Sequence, residues 1–119
     1  MKEPATTEAP PPAAALRVKA AEAERFFAAL GNPLRWQMVR LLAERGPLAA
    51  SHFARELHRD VDNLSKHLRV LQRGGVVRDM VWGDRRCVWF FIPKATQPEP
   101  GVLDYGAVRV DLRPAPPAS

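Results

Sequence analysis

Cysteine is almost absent from this chain. Cys87 is the only one among 119 residues, which excludes an intramolecular disulfide and any single-chain metal site built from several thiolates. Histidine is nearly as scarce, with His52, His58 and His67 alone. His52 and His58 stand six positions apart, so they point to different sides of one helix and do not chelate together. No apolar run approaches the roughly 18 to 20 residues of a membrane span, so no membrane partner is expected. The opening MKEPATTEAPPPAA lacks the apolar centre of a secretory signal, which implies a cytoplasmic protein. Catalytic patterns are missing too: there is no Ser/His/Asp order, no carboxylate pair in a plausible pocket and no Gly-rich phosphate loop. The expectation is a protein that is not an enzyme and has no cofactor or metal.

A chain of this length holds one small domain. With 46% hydrophobic residues it can build a core, although a domain this small often gains stability by dimerising. The formal net charge is +5. That favours an anionic partner but decides nothing alone, because many unrelated soluble proteins are basic.

Proline, alanine and threonine dominate residues 1–14, and the absence of an apolar period predicts a disordered tail there. From Leu16 onward, Leu16, Ala20, Ala23, Phe27 and Leu30 recur at spacings of four and three, an apolar seam that predicts a first helix stopped by Gly31. The seam serves either the protomer's core or a dimer interface. Asn32 and Pro33 restart a helix as N-cap and first residue, with Leu34, Met38, Leu41 and Leu42 inward and Gly46-Pro47 as its end. A third helix over about Ala50 to His58 turns Phe53, Ala54 and Leu57 inward. Val76 to Trp82 and Cys87 to Ile92, joined by Gly83-Asp84-Arg85-Arg86, read as a β-hairpin. Pro93, Pro98 and Pro100 mark residues 94–113 as a Pro-rich linker with one further strand, where Val108, Val110 and Leu112 alternate with Arg109 and Asp111; residues 114–119 read as a second tail.

The most informative stretch is Arg55 to Gly75, two short helices joined by a tight turn. Asp60 caps the second of these helices. At about 100° per residue, Val61, Leu64, Leu68 and Leu71 share one stripe, and Asp62, Lys66, Arg69 and Arg73 share the opposite one. A core face and a mostly basic face on one helix, followed by a hairpin, describe a winged helix-turn-helix. The fold class is therefore mainly α with a small β-hairpin wing and an extra C-terminal strand, over residues 15–93 for the winged domain.

Three fragments, in order and at matching distances, resemble the ArsR/SmtB family of bacterial winged-helix regulators. Leu30-Gly31-Asn32-Pro33-Leu34-Arg35 resembles the family's entry to its second helix, Leu64 to Leu71 (LSKHLRVL) its recognition helix, and Gly75-Val76-Val77 its lead into the wing. The resemblance covers about Phe27 to Ile92 and implies a homodimer that binds operator DNA, often released when an effector is sensed. The departures matter as much. The family's Cys-x-Cys metal motif falls on Ala49-Ala50-Ser51, and the C-terminal segment that often supplies zinc ligands contains no histidine. Soft metals need thiolates that are not there.

Asn63, Ser65, Lys66, Arg69 and Arg73 are the candidate DNA-binding residues of the helix. Asn suits bidentate contact with adenine, Lys contact with guanine or phosphate, and Ser and Arg contact with phosphate oxygens. Arg85 and Arg86 at the hairpin tip fit a wing that reaches a minor groove. Each has a plainer reading, a solvated helix face or an ordinary turn. Asp62 either stabilises the helix N-terminus or accepts from cytosine N4. His67 is read as a packed, hydrogen-bonded histidine, and Trp36, Trp82 and Trp89 as core or hairpin residues, an effector pocket being the alternative. Cys87 beside Arg86 leaves a redox role open. The function that follows is a sequence-specific regulator binding double-stranded DNA, most simply a homodimeric repressor on a palindromic operator. The competing class is a winged helix used as a protein-interaction module, which should expose a central apolar anchor on that helix.

Overall fold

The computed structural model describes residues 13–83 and 87–114, apart from the side chain of Trp82. Asn32 accepts the amide of Arg35 at 3.0 Å and Pro33 fills the first position of a long helix, as the sequence predicts. The elements are α1 (Ala23–Leu30, preceded by a 3-10 turn Ala20–Glu22), α2 (Pro33–Arg45), β1 (Leu48–Ala49), α3 (Ala50–Leu57), α4 (Val61–Arg73), β2 (Arg78–Trp82), β3 (Cys87–Phe91), a 3-10 turn Lys94–Thr96, β4 (Val102–Asp104) and β5 (Arg109–Asp111). The hairpin β2–β3 is antiparallel and runs from Arg78↔Phe91 to Trp82↔Cys87. β1 adds to its other side through Leu48↔Phe90 and Ala49↔Trp89, giving the order β1-β3-β2. β1 is too short to leave a periodic signal in the sequence.

The core is the meeting place of α1, α2, α3, α4 and the sheet. Phe26, Met38, Val39, Leu42, Phe53, Leu64, Leu68, Leu71, Val76 and Leu103 are all 0 or 1% exposed. Fully burying one such side chain contributes roughly 1.5–3 kcal/mol, so the leucines of α4 outweigh any surface ion pair in fixing which face turns inward. Gly75 ends α4 at φ 81°, a left-handed position that suits glycine. There the Gly75 amide donates to Gln72 O and the Val76 amide to Leu71 O, 3.1 and 3.0 Å, the paired bonds of a Schellman stop.

Three expectations are corrected. The first helix does not start at Leu16: residues 16–19 are extended, because the amides of Leu16 and Val18 find acceptors in Thr96 Oγ1 and Tyr105 O, 2.9 and 2.8 Å away. Within α1 itself the inward face is Phe26 and Ala29, which are buried, while Phe27 of the expected seam is 56% exposed. Val61 is likewise no core residue, at 41% exposed. Finally, the segment expected as a Pro-rich linker with one strand is part of the body. It carries two paired strands, with Val102↔Asp111, Leu103↔Val110 and Asp104↔Arg109, and Tyr105 is fully buried between them and α1. The Tyr105 ring meets Phe26 edge-on at 4.6 Å, and its hydroxyl donates to Val76 O at 2.8 Å. Burial pushes that phenol well above its usual pKa, so it stays a donor. Val108, Val110 and Leu112 pack on this core, which answers the expected alternation with the protomer's own body.

α1 crosses the end of α4 at Gly74. A Cβ there would stand 2.8 Å from Ala29 Cβ and 3.2 Å from the Arg25 carbonyl, so only glycine allows this approach. Gly74→Ala is expected to push α1 off α4 and lower unfolding free energy by about 1–3 kcal/mol. Urea denaturation checks it, with Gly46→Ala as a contrast: there a Cβ meets nothing within 4 Å, and only the backbone conformation is strained.

Candidate nucleic-acid interface

α3, its turn and α4 form the element that carries the predicted site. His52 Nδ1 accepts the Ala49 amide at 2.9 Å and its ring lies against Trp89, 5.5 Å between centroids. His58 ends α3 in the left-handed region, φ 56°, which swings the chain through Arg59 into the next helix. Asp60 then caps α4, its carboxylate accepting the Asn63 amide at 3.3 Å and its carbonyl the Leu64 amide at 3.1 Å. The cap leaves the Asn63 side chain free to project.

Asn63, Lys66, Arg69 and Arg73 are exposed and Ser65 is half-buried, so none of the five helix candidates is consumed by the core. Arg69 is the one with partners: its guanidinium donates to Gln72 Oε1 at 3.2 Å and Asp79 Oδ2 at 3.3 Å. That ion pair joins α4 to the wing strand β2. Both groups are partly solvated, so it adds little stability and mainly orients Arg69. Arg85 and Arg86 lie outside the described residues. Cys87 is exposed at the start of β3 as a free thiol.

Sequence reasoning missed two arginines that extend the basic row. Arg25 of α1 and Arg35 of α2 line a depression of about 410 Å3 together with Arg73, floored by Ala28, Ala29 and Val70. Arg35 is also a staple. Its Nε donates to Ala29 O at 2.7 Å, and Nη1 reaches His67 Nδ1 at 3.0 Å, so one guanidinium ties the end of α1 to the middle of α4. Arginine only donates, hence His67 accepts and is neutral, the packed histidine expected. A second depression of about 760 Å3 opens between the end of α2 and the exit from β3, around Leu42, Pro47 and Ile92. Neither Trp36 nor Trp89 lines either of them, and Trp89 faces His52 instead.

A helix-turn-helix domain model matches residues 30–79, the span from the end of α1 to the second residue of β2. HlyU from Vibrio cholerae superimposes with a TM-score of 0.54 at 24% identity, covering 62% of this chain and 77% of that one. An ArsR family transcriptional regulator gives a TM-score of 0.53 at 24% identity over 66% of this chain and 77% of its own. The fold is a winged helix-turn-helix, shared with these two structures. A protein of Methanocaldococcus jannaschii named as an uncharacterized HTH-type transcriptional regulator is 33% identical over 57 residues, 48% of this chain. The match spans 64% of that relative's length. Within the winged helix, β2–β3 is the wing and α4 is the second helix of the helix-turn-helix. Ala49-Ala50-Ser51, where the metal motif would fall, is the junction of β1 and α3. No helix among the described residues is long and apolar enough to cross a membrane.

His67 supplies a pH test. Burial first, then the charges of Arg35 and Arg59, hold its pKa below the usual 6.5. The folded state therefore binds its proton less readily than the unfolded chain. The stability this contributes is complete above pH 6.5 and is lost as pH falls from there through the folded-state pKa. Urea midpoints at pH 7.5 and 5.5 should drop more for the wild type than for His67→Gln, whose amide oxygen can still accept from Arg35 but does not titrate.

Proposed function

We propose that this winged helix is a sequence-specific regulator of transcription that binds double-stranded DNA through α4 and the wing. The observation that carries the reading is the exposed row on α4, with Asn63 at the amino-terminal end and Lys66, Arg69 and Arg73 behind it, opposite a fully buried leucine stripe. In helix-turn-helix proteins the amino-terminal residues of this helix meet base edges in the major groove. Asn63 then pairs with adenine and Lys66 with guanine or a phosphate, while Ser65, Arg69 and Arg73 hold phosphate oxygens. Arg69 exchanges Asp79 for phosphate on binding. Arg85 and Arg86 reach the minor groove from the wing tip. The names of the regulators it resembles support this reading. α4 exposes no aromatic, and its exposed apolar residues are two separate valines, Val61 in its first turn and Val70 in its last, rather than a central anchor, which argues against use of the face as a protein-docking surface.

The working unit is a homodimer on a palindromic operator, most simply as a repressor. Phe27, exposed on α1, gives the second copy an apolar contact. Two α4 helices about 34 Å apart match successive major grooves. Sedimentation should give a dimer at micromolar concentration, and a monomer with full DNA affinity would refute this assembly.

Specificity and affinity separate by mutation. Asn63→Ala is expected to relax base preference at a cost of about 1–3 kcal/mol on the best site. Arg73→Ala should weaken binding to all sequences alike and reduce the salt slope by about one. Operator selection from random DNA followed by anisotropy titrations on selected and scrambled duplexes measures both. Equal effects of the two variants on both duplexes would sink the assigned geometry.

A further inference from the structure

By helical phase Val61 belongs to the stripe of Leu64, Leu68 and Leu71, yet it is 41% exposed where those three are 0%. The reason is position. Val61 is the first residue of α4, one turn beyond Leu64 and outside the core cluster. It therefore projects from the end of the helix that the reading above places toward the bases, beside exposed Asp62 and Asn63.

Its direction follows from the helix. Val61, Ser65 and Arg69 recur every four residues and share one flank. The Arg69–Asp79 contact at 3.3 Å turns that flank toward β2. The flank thus runs from two methyl groups at the tip of the helix, past a hydroxyl, to an ion pair at the wing. An isolated exposed valine says nothing on most surfaces. In the first turn of a helix otherwise lined there by Asp62 and Asn63, it presents an apolar contact in a polar setting. Among base edges in the major groove, the apolar group on offer is the thymine C5 methyl.

We propose that Val61 is a specificity-determining residue that packs on a thymine methyl in each half-site, on the wing side of the helix. The inference rests on the DNA-binding reading and sharpens it: Asn63 selects by hydrogen bonds and Val61 by shape. Replacing thymine with deoxyuridine removes the methyl and leaves the pairing edge intact.

The test uses the full chain and the selected operator, with each thymine replaced singly by deoxyuridine, and anisotropy titrations of the wild type and Val61→Ala. At one thymine per half-site the wild type should lose about three- to tenfold in affinity on losing the methyl. Val61→Ala should bind the thymine operator with a similar loss and be indifferent to the same replacement. Because Val61 is largely outside the core, unchanged urea midpoints should certify the fold of the variant. Tight, salt-dependent binding with no position at which the methyl matters more to the wild type than to Val61→Ala overturns the Val61 assignment alone. Failure of the wild type to bind any duplex in a salt-dependent way overturns the DNA reading, and this inference with it.

Discussion

Everything in this molecule depends on the burial of one side of α4. Leu64, Leu68 and Leu71 reach zero exposure because α1, α2, α3 and the sheet all close on the same stripe. At roughly 1.5–3 kcal/mol each, these residues fix the rotation of the helix far more firmly than its surface charges could. The exposed ion pair between Arg69 and Asp79 is of a kind worth 0 to about 1 kcal/mol. Apolar burial therefore decides which side faces out, and the outward side is left available for polar recognition.

Two further devices hold α4 to its surroundings. Arg35 spends its donors on the end of α1 and on His67, so α1 and α4 share one guanidinium. Gly74 lets α1 approach within a distance that any side chain would forbid. On the opposite side, Tyr105 joins the C-terminal strands to Phe26 and Val76. The pair β4–β5 thereby covers a part of the core with a segment expected as a linker and one strand, and buries the adjacent Val102 and Leu103 completely.

Much of the site was legible in advance. The cap residues Asn32 and Asp60, the period of the leucines and the β-branched hairpin are local signals, and each produced its element, although the first hairpin strand begins at Arg78 rather than Val76, with Val76 and Val77 buried ahead of it. The basic row on α4 follows from the same period, so its exposure came with the helix. Arg25 and Arg35 were not legible as neighbours of Arg73, because they come from three different helices whose packing angles no local pattern encodes. The same holds for Asp79, whose contact with Arg69 depends on where the wing folds back.

The errors have one cause. Leu16 and Ala20 follow a helical spacing, but the amides of Leu16 and Val18 are captured by Thr96 and Tyr105, some 80 residues on in the chain, and a tertiary hydrogen bond overrides a weak local preference. Val61 continues the leucine stripe but lies past the edge of the core, and periodicity reports a direction without reporting how far the protein extends in it. Local chemistry by itself determined the helices, their caps, the wing and the polar character of the outward face of α4. Only the tertiary structure decided which apolar residues are covered, which charges meet, and that the proline-rich end folds back as a strand pair, because those outcomes depend on contacts between segments distant in sequence.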